Sequence, residues 1–86
     1  MKPKDIKFYP SKRKFKKYMV TFTLNGEPYK IHFGDNRHEH FKDSTGLGTY
    51  SILDHNDPER KRRYYQRHGR TSDPTTAKYW SNKYLW

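Results

Sequence analysis

The chain contains no cysteine, which excludes a disulfide framework, a thiolate nucleophile and any cysteine-based zinc site. Long apolar runs are missing as well. No window approaches the roughly 20 apolar residues needed to cross a bilayer, and no apolar stretch with a cleavage site follows the basic N-terminus. Neither a membrane span nor Sec-type export is therefore expected, and an intracellular setting is permitted. Aliphatic side chains are scarce: of 86 residues 30% are hydrophobic, and among these 26 there are 2 Trp, 8 Tyr and 5 Phe. A chain of this length makes one small domain. Its core must be built mostly from rings, eight of which carry a hydroxyl that needs water or a partner. Acidic residues are also few, 9 against 19 Lys and Arg, giving a net charge of +10 and a pI near 9.9. A polyanionic partner is the expectation.

The charge is segregated. Residues 1–17 carry +7, residues 18–57 carry −3, residues 58–70 carry +5 and the remainder +1. Charge needed only for solubility would have no reason to cluster into two basic blocks around an acidic middle, so the blocks themselves become the candidate binding residues. They are Lys12, Arg13, Lys14, Lys16 and Lys17 in the first, and Arg60, Arg62, Arg63, Arg67 and Arg70 in the second.

Residues 1–17 read as a basic arm, because like charges repel and Pro3 and Pro10 discourage regular structure, or as an edge strand through Ile6, Phe8 and Tyr9. From Tyr18 the pattern has period two: Tyr18, Val20, Phe22 and Leu24 on one face, Met19, Thr21 and Thr23 on the other. Asn25-Gly26-Glu27-Pro28 is turn chemistry, and Tyr29, Ile31 and Phe33 resume the alternation. The polar, glycine-bearing stretch 34–53 reads as a long loop with one helical turn near Tyr50–Leu53. Asp57-Pro58-Glu59 then starts a helix that Gly69 stops. On it Lys61, Tyr64, Tyr65 and His68 share an inward face while the arginines look outward. Asp73-Pro74 repeats the start signal for a second helix, whose Ala77, Trp80, Ser81 and Tyr84 share a face. The expected fold is α+β: a small antiparallel β-hairpin or three-stranded sheet packed with two C-terminal helices, residues 18–86 forming a single compact domain.

Three constellations invite chemistry. The arginine helix sets guanidinium forks at a spacing that reaches successive oxyanions. The plain alternative is a solvated face with Glu59 paired to Arg63, but one acid does not neutralise five or six bases. Interleaved rings and lysines in Lys7-Phe8-Tyr9 and Lys14-Phe15-Lys16-Lys17-Tyr18 have the composition of a base-stacking surface. So poor a core, however, needs Phe15 and Tyr18 inside, and the core reading is preferred. His38-Glu39-His40 lets two rings point one way from an extended chain, and with His55 and nearby Asp offers an open metal site. A metal-free surface loop is several times the better reading, so no metal, cofactor or catalytic residue is expected. Asp54-His55-Asn56-Asp57 has the look of a His-plus-acid pair for nuclease chemistry, yet Asp57 is better used as a helix cap. Gly46-Leu47-Gly48 is too short for a phosphate loop.

Asp54-His55-Asn56-Asp57, Arg62-Arg63-Tyr64-Tyr65, Arg67-His68-Gly69, Tyr79-Trp80-Ser81 and Tyr84-Leu85-Trp86, with Ile31-His32-Phe33-Gly34 before Asp35, make up a combined motif. In it the chain, from about Lys14 to Trp86, resembles a family of small basic uncharacterised proteins of large nucleocytoplasmic DNA viruses. The resemblance brings no active site. It implies a viral setting: the virion, with the host cytoplasm or nucleus during assembly, and a role in or around the particle or its genome. The resulting expectation is a non-enzymatic small basic virion protein, a minor structural capsid- or core-associated component binding acidic partners. The alternative is a nucleic-acid-binding protein that packages or condenses the viral genome. Expected partners are other virion proteins or nucleic acid, with no small-molecule substrate.

Overall fold

A computed structural model describes residues 2–86. Three strands, β1 (Lys4–Pro10), β2 (Lys16–Leu24) and β3 (Glu27–Asp35), precede a 3₁₀ turn at Ser51–Leu53 and two helices, α1 (Pro58–His68) and α2 (Ala77–Tyr84). The strands form one antiparallel sheet in the order β1-β2-β3, so the α+β fold expected from the pattern is the fold observed. The β2–β3 connection follows from Asn25 and Gly26, whose φ values of 53° and 77° supply the two left-handed residues of a tight hairpin turn. Register then pairs Leu24 with Glu27 and Tyr18 with Phe33.

The alternation in β2 sends Tyr18, Val20, Phe22 and Leu24 into the core, where Phe33, Trp80 and Leu85 meet them. Trp80 is fully buried. It packs 4.9 Å from the Phe22 ring, centroid to centroid, and its indole N–H donates to the Pro74 carbonyl at 2.8 Å. Phe8 reaches the same cluster, edge-on to Phe33 and Trp80 and 4.6 Å from Tyr84. That contact makes residues 4–10 an edge strand and not a loose arm. The core is indeed mostly aromatic, as the shortage of aliphatic residues requires.

Helix α1 begins where Asp57 accepts the N–H groups of Glu59 at 2.9 Å and Arg60 at 3.4 Å, and ends at Gly69 with φ 71°. No residue of α1 is fully buried. Its tyrosine face does turn inward, but onto the C-terminal segment and not onto the sheet. Tyr64 stacks on Trp86 with centroids 4.2 Å apart, and Tyr65 donates its hydroxyl hydrogen to the Asn82 carbonyl at 2.9 Å. The start signal for the second helix is displaced from expectation. Asp73 folds back on Thr75 in a local turn, and Thr76 is the cap, accepting from the Tyr79 N–H at 3.3 Å. The delay frees the Pro74 carbonyl for Trp80.

The long loop is tied across the chain end: Phe41 and Lys42 donate their N–H groups to the Leu85 carbonyl at 3.0 and 3.1 Å, and Ser44 to that of Tyr84 at 2.8 Å. Among the described residues no helix is long and apolar enough to cross a membrane.

Candidate functional site

A groove of about 890 Å³ runs between the end of β3, α1 and α2. Its walls bring Lys16 from the first basic block together with Arg60, Arg63 and Arg67 from the second, and Lys78 adds a cation from α2. Asp35 and Glu39 stand in the same walls, and the stacked Tyr64 and Trp86 add an aromatic surface. The groove is therefore cationic in excess but mixed in charge.

The pairing within it decides what it can hold. Arg60 donates to Glu39 at 2.9 Å. Glu59 bonds Arg62 and lies 3.6 Å from Arg63. Arg70 leaves the groove and lays its guanidinium 4.0 Å from the Tyr65 ring centroid. Arg67 and Arg70 have no carboxylate within ion-pair distance among the described residues. The expectation that one acid serves the whole helix is thus corrected: Glu39, from a loop 21 residues away, supplies the second. These exposed pairs are individually weak, yet together they break the run of free guanidinium groups that a ladder of phosphates needs.

The first basic block divides. Lys12, Arg13 and Lys14 are exposed at the β1–β2 turn, outside the groove. Phe15, expected in the core, is 42% exposed there. Its φ of 64° lies in the left-handed region, and its ring sits between Lys14 and the Arg37 guanidinium, at 4.9 and 4.2 Å. Arg37 in turn forms a fork with Asp35, at 3.0 and 2.8 Å, which holds the Asp35 carboxyl well below its usual range.

Lys17 is the clearest correction. It lines the groove but is only 2% exposed, and its ammonium is engaged inside the protein instead of being offered to solvent. Its Nζ lies 2.9 Å from His40 Nδ1, and His40 Nε2 is bonded to Asp54 Oδ1. With the Nε2–H donating to the Asp54 carboxylate, Nδ1 is left as the acceptor for Lys17. Asp54 also accepts the Asp43 N–H at 2.9 Å. Asp43 in turn accepts from the Tyr18 hydroxyl and from both the N–H and hydroxyl of Thr45, at 3.0 and 2.6 Å. Burial pushes Lys17 down to about 8 against the pull of Asp35, Asp43 and Asp54. Burial and the neighbouring Lys17 lower His40, and burial with the Asp43 hydrogen bond raises Tyr18 to about 12. Burial opposes ionisation of Asp43, but the bonds from Thr45 and Tyr18 prevail and keep its carboxyl below the ordinary value. Space for Lys17 comes from Gly34, at φ 77°: a Cβ there would lie 2.9 Å from Leu85 Cδ1 and 3.1 Å from Lys17 Cδ.

His38 and His40 do not converge. His38 is exposed, 3.8 Å from Asp35, whereas His40 is fully enclosed. His55 accepts the Asp57 N–H through Nδ1 at 3.0 Å and packs beside Trp86. Among the described residues no group of three His, Cys, Asp or Glu side chains is arranged to hold a metal ion. The Asp54-His55 sequence pair drew notice, yet the histidine Asp54 bonds is His40, 14 residues back, for which no local signal existed. No known family, curated protein or solved structure matches the chain.

Proposed function

We propose that the protein is a non-enzymatic binding module whose groove receives an acidic surface of another protein. The observation that carries this reading is the mixed charge of the walls. Asp35 and Glu39 share the walls with Lys16, Arg60, Arg63, Arg67 and Lys78 and with the Tyr64–Trp86 stack. Such a surface complements a folded partner carrying mostly acids, a few bases and an apolar anchor, whereas a phosphate backbone would have to displace Glu39 from Arg60 and Glu59 from Arg62. Following the resemblance to small basic proteins of large DNA viruses, the setting is the virion and the role a minor structural, capsid- or core-associated one. Direct packaging of the genome through α1 is the weaker reading, since Arg60, Arg62 and Arg63 already face Glu39 or Glu59.

Cross-linking mass spectrometry on purified virions, split into shell and core fractions, tests it. Amine-to-carboxylate links from Lys16 and Lys78 to acidic residues of a neighbouring particle protein are expected. Absence of the protein from both fractions would overturn the virion assignment, and links only among its own residues would overturn the groove.

A further inference from the structure

The sheet has a second face that neither helix covers. Because β2 sends Tyr18, Val20, Phe22 and Leu24 inward, Met19, Thr21 and Thr23 point the other way and are only half-buried. Register places Tyr9, Met19 and His32 side by side in one row across the three strands, and Lys7, Thr21 and Lys30 in the next. Neighbours within a row lie about 4.5–5.5 Å apart, and the rows are about 6.6–6.8 Å apart along the strands. Tyr9 is 42% exposed, and Lys7 and Lys30 are exposed.

Three features define what this face fits. The first is a flat row of a phenol ring, a thioether and an imidazole, the last held by the Ser11 hydroxyl 2.7 Å from His32 Nδ1. The second is the parallel row of two ammonium groups flanking Thr21. The third is the sign of the surroundings: burial, and then the cations Arg13, Lys30 and Lys16, lower the His32 pKa below its ordinary value, and no acid is among the charged groups that act on it. A strip of two rings and a thioether edged by cations complements a chain that alternates apolar π-faces with negative charges.

From this arrangement we infer that the outer face of the sheet binds a single strand of nucleic acid. Bases lie on Tyr9, Met19 and His32, and backbone phosphates on Lys7, Lys30 and Arg13. A duplex is excluded from the strip because its base faces are stacked on one another and unavailable. Stacking and phosphate contact read neither sequence nor sugar, so ribose and deoxyribose strands should bind alike. The site shares no residue with the groove, so the module would join a strand on one side to a protein on the other.

The test is fluorescence anisotropy with labelled oligothymidylate and oligouridylate of about ten nucleotides, and a blunt duplex of equal length, at about 0.15 M salt. Both single strands should bind more tightly than the duplex. Tyr9→Ala should weaken them about tenfold or more, and Tyr9→Phe should restore them. Lys7→Ala with Lys30→Ala should flatten the log–log salt slope by about 0.7 per lost contact. Arg63→Ala with Arg67→Ala should leave single-strand binding at the parental level, which separates failure here from failure of the groove reading. Circular dichroism confirms that each variant folds. Preference for the duplex, a strong preference for one sugar, or indifference to both the Tyr9 and the lysine substitutions would overturn the inference.

Discussion

Burying Lys17 against His40 makes the stability of this protein rise with pH in a range where most proteins are flat or declining. The amine ordinarily titrates at 10.5 and is pushed to about 8 in the folded chain. Below pH 8 both states carry the ammonium, and the folded one bears the full cost of enclosing it. Between pH 8 and 10.5 the folded chain has released the proton while the unfolded chain keeps it, so the unfolded state binds more protons and stability climbs with pH. At about 1.36 kcal/mol per unit, the interval corresponds to about 3 kcal/mol, a large part of the stability of a domain this small. Tyr18 acts in the opposite sense above that range. Its hydroxyl is held to about 12 against an ordinary 10, so the unfolded chain ionises first and stability falls between pH 10 and 12. The profile should therefore crest near pH 10. Urea unfolding followed by tryptophan fluorescence between about pH 7.5 and 11 measures it, with Lys17→Met as the companion variant. Lys17→Met should lose the rise above pH 8 and keep the fall above pH 10. A parental profile that is flat or falling from pH 8 to 10, or a rise that survives in Lys17→Met, would refute the reasoning.

Trp80→Ala removes a fully buried ring that touches Phe8, Phe22 and Tyr84 and should cost about 3–5 kcal/mol; an unchanged melting temperature would mean the C-terminal helix is not part of the core. Gly34→Ala places a methyl 2.9 Å from Leu85 at a φ of 77° and should destabilise by about 2 kcal/mol or more, whereas Gly26→Ala, with open space around it, should cost about 1 kcal/mol. Equal losses in denaturant titrations would contradict the close packing of Lys17 under β3. Incubation with DNA and Mg²⁺, Mn²⁺ or Zn²⁺ should give no cleavage, because His38 is exposed beside Asp35 while His40 is enclosed and shared between Lys17 and Asp54; cutting abolished by His38→Ala or His55→Ala would reassign the protein as an enzyme.

Local chemistry carried most of the fold into view. The β2–β3 hairpin rests on a period-two pattern and an Asn-Gly turn, and α1 on an Asp-Pro start and a Gly stop, each contained within a few residues. What escaped was set by distance along the chain. Lys17 reads as one more charge in a basic run until His40 and Asp54, which lie 23 and 37 positions further on, close over it. Phe15 reads as core material in a chain poor in apolar residues. Nothing near it announced that its backbone would turn left-handed and that Arg37 would cover its ring. The Arg60–Glu39 pair was hidden for the same reason, and it changes the reading of α1 from a phosphate ladder to one wall of a mixed-charge groove. Asp73 looked like Asp57 in sequence, but Thr75 captured its side chain, which moved the cap to Thr76.

Salt dependence of duplex DNA binding, for the parent and for Arg63→Ala with Arg67→Ala, tests the groove most directly. Since +10 makes such a chain adhere to DNA at low ionic strength, the deciding measurement is at about 0.15 M salt. Acidic side chains on a folded partner lack the condensed counterion layer of DNA, so a protein-docking groove predicts feeble duplex binding there, unchanged by the double substitution. Tight binding at that salt, with a log–log slope of roughly −4 to −7 that flattens by about one unit for each arginine removed, would contradict the account and make the genome the ligand of the groove.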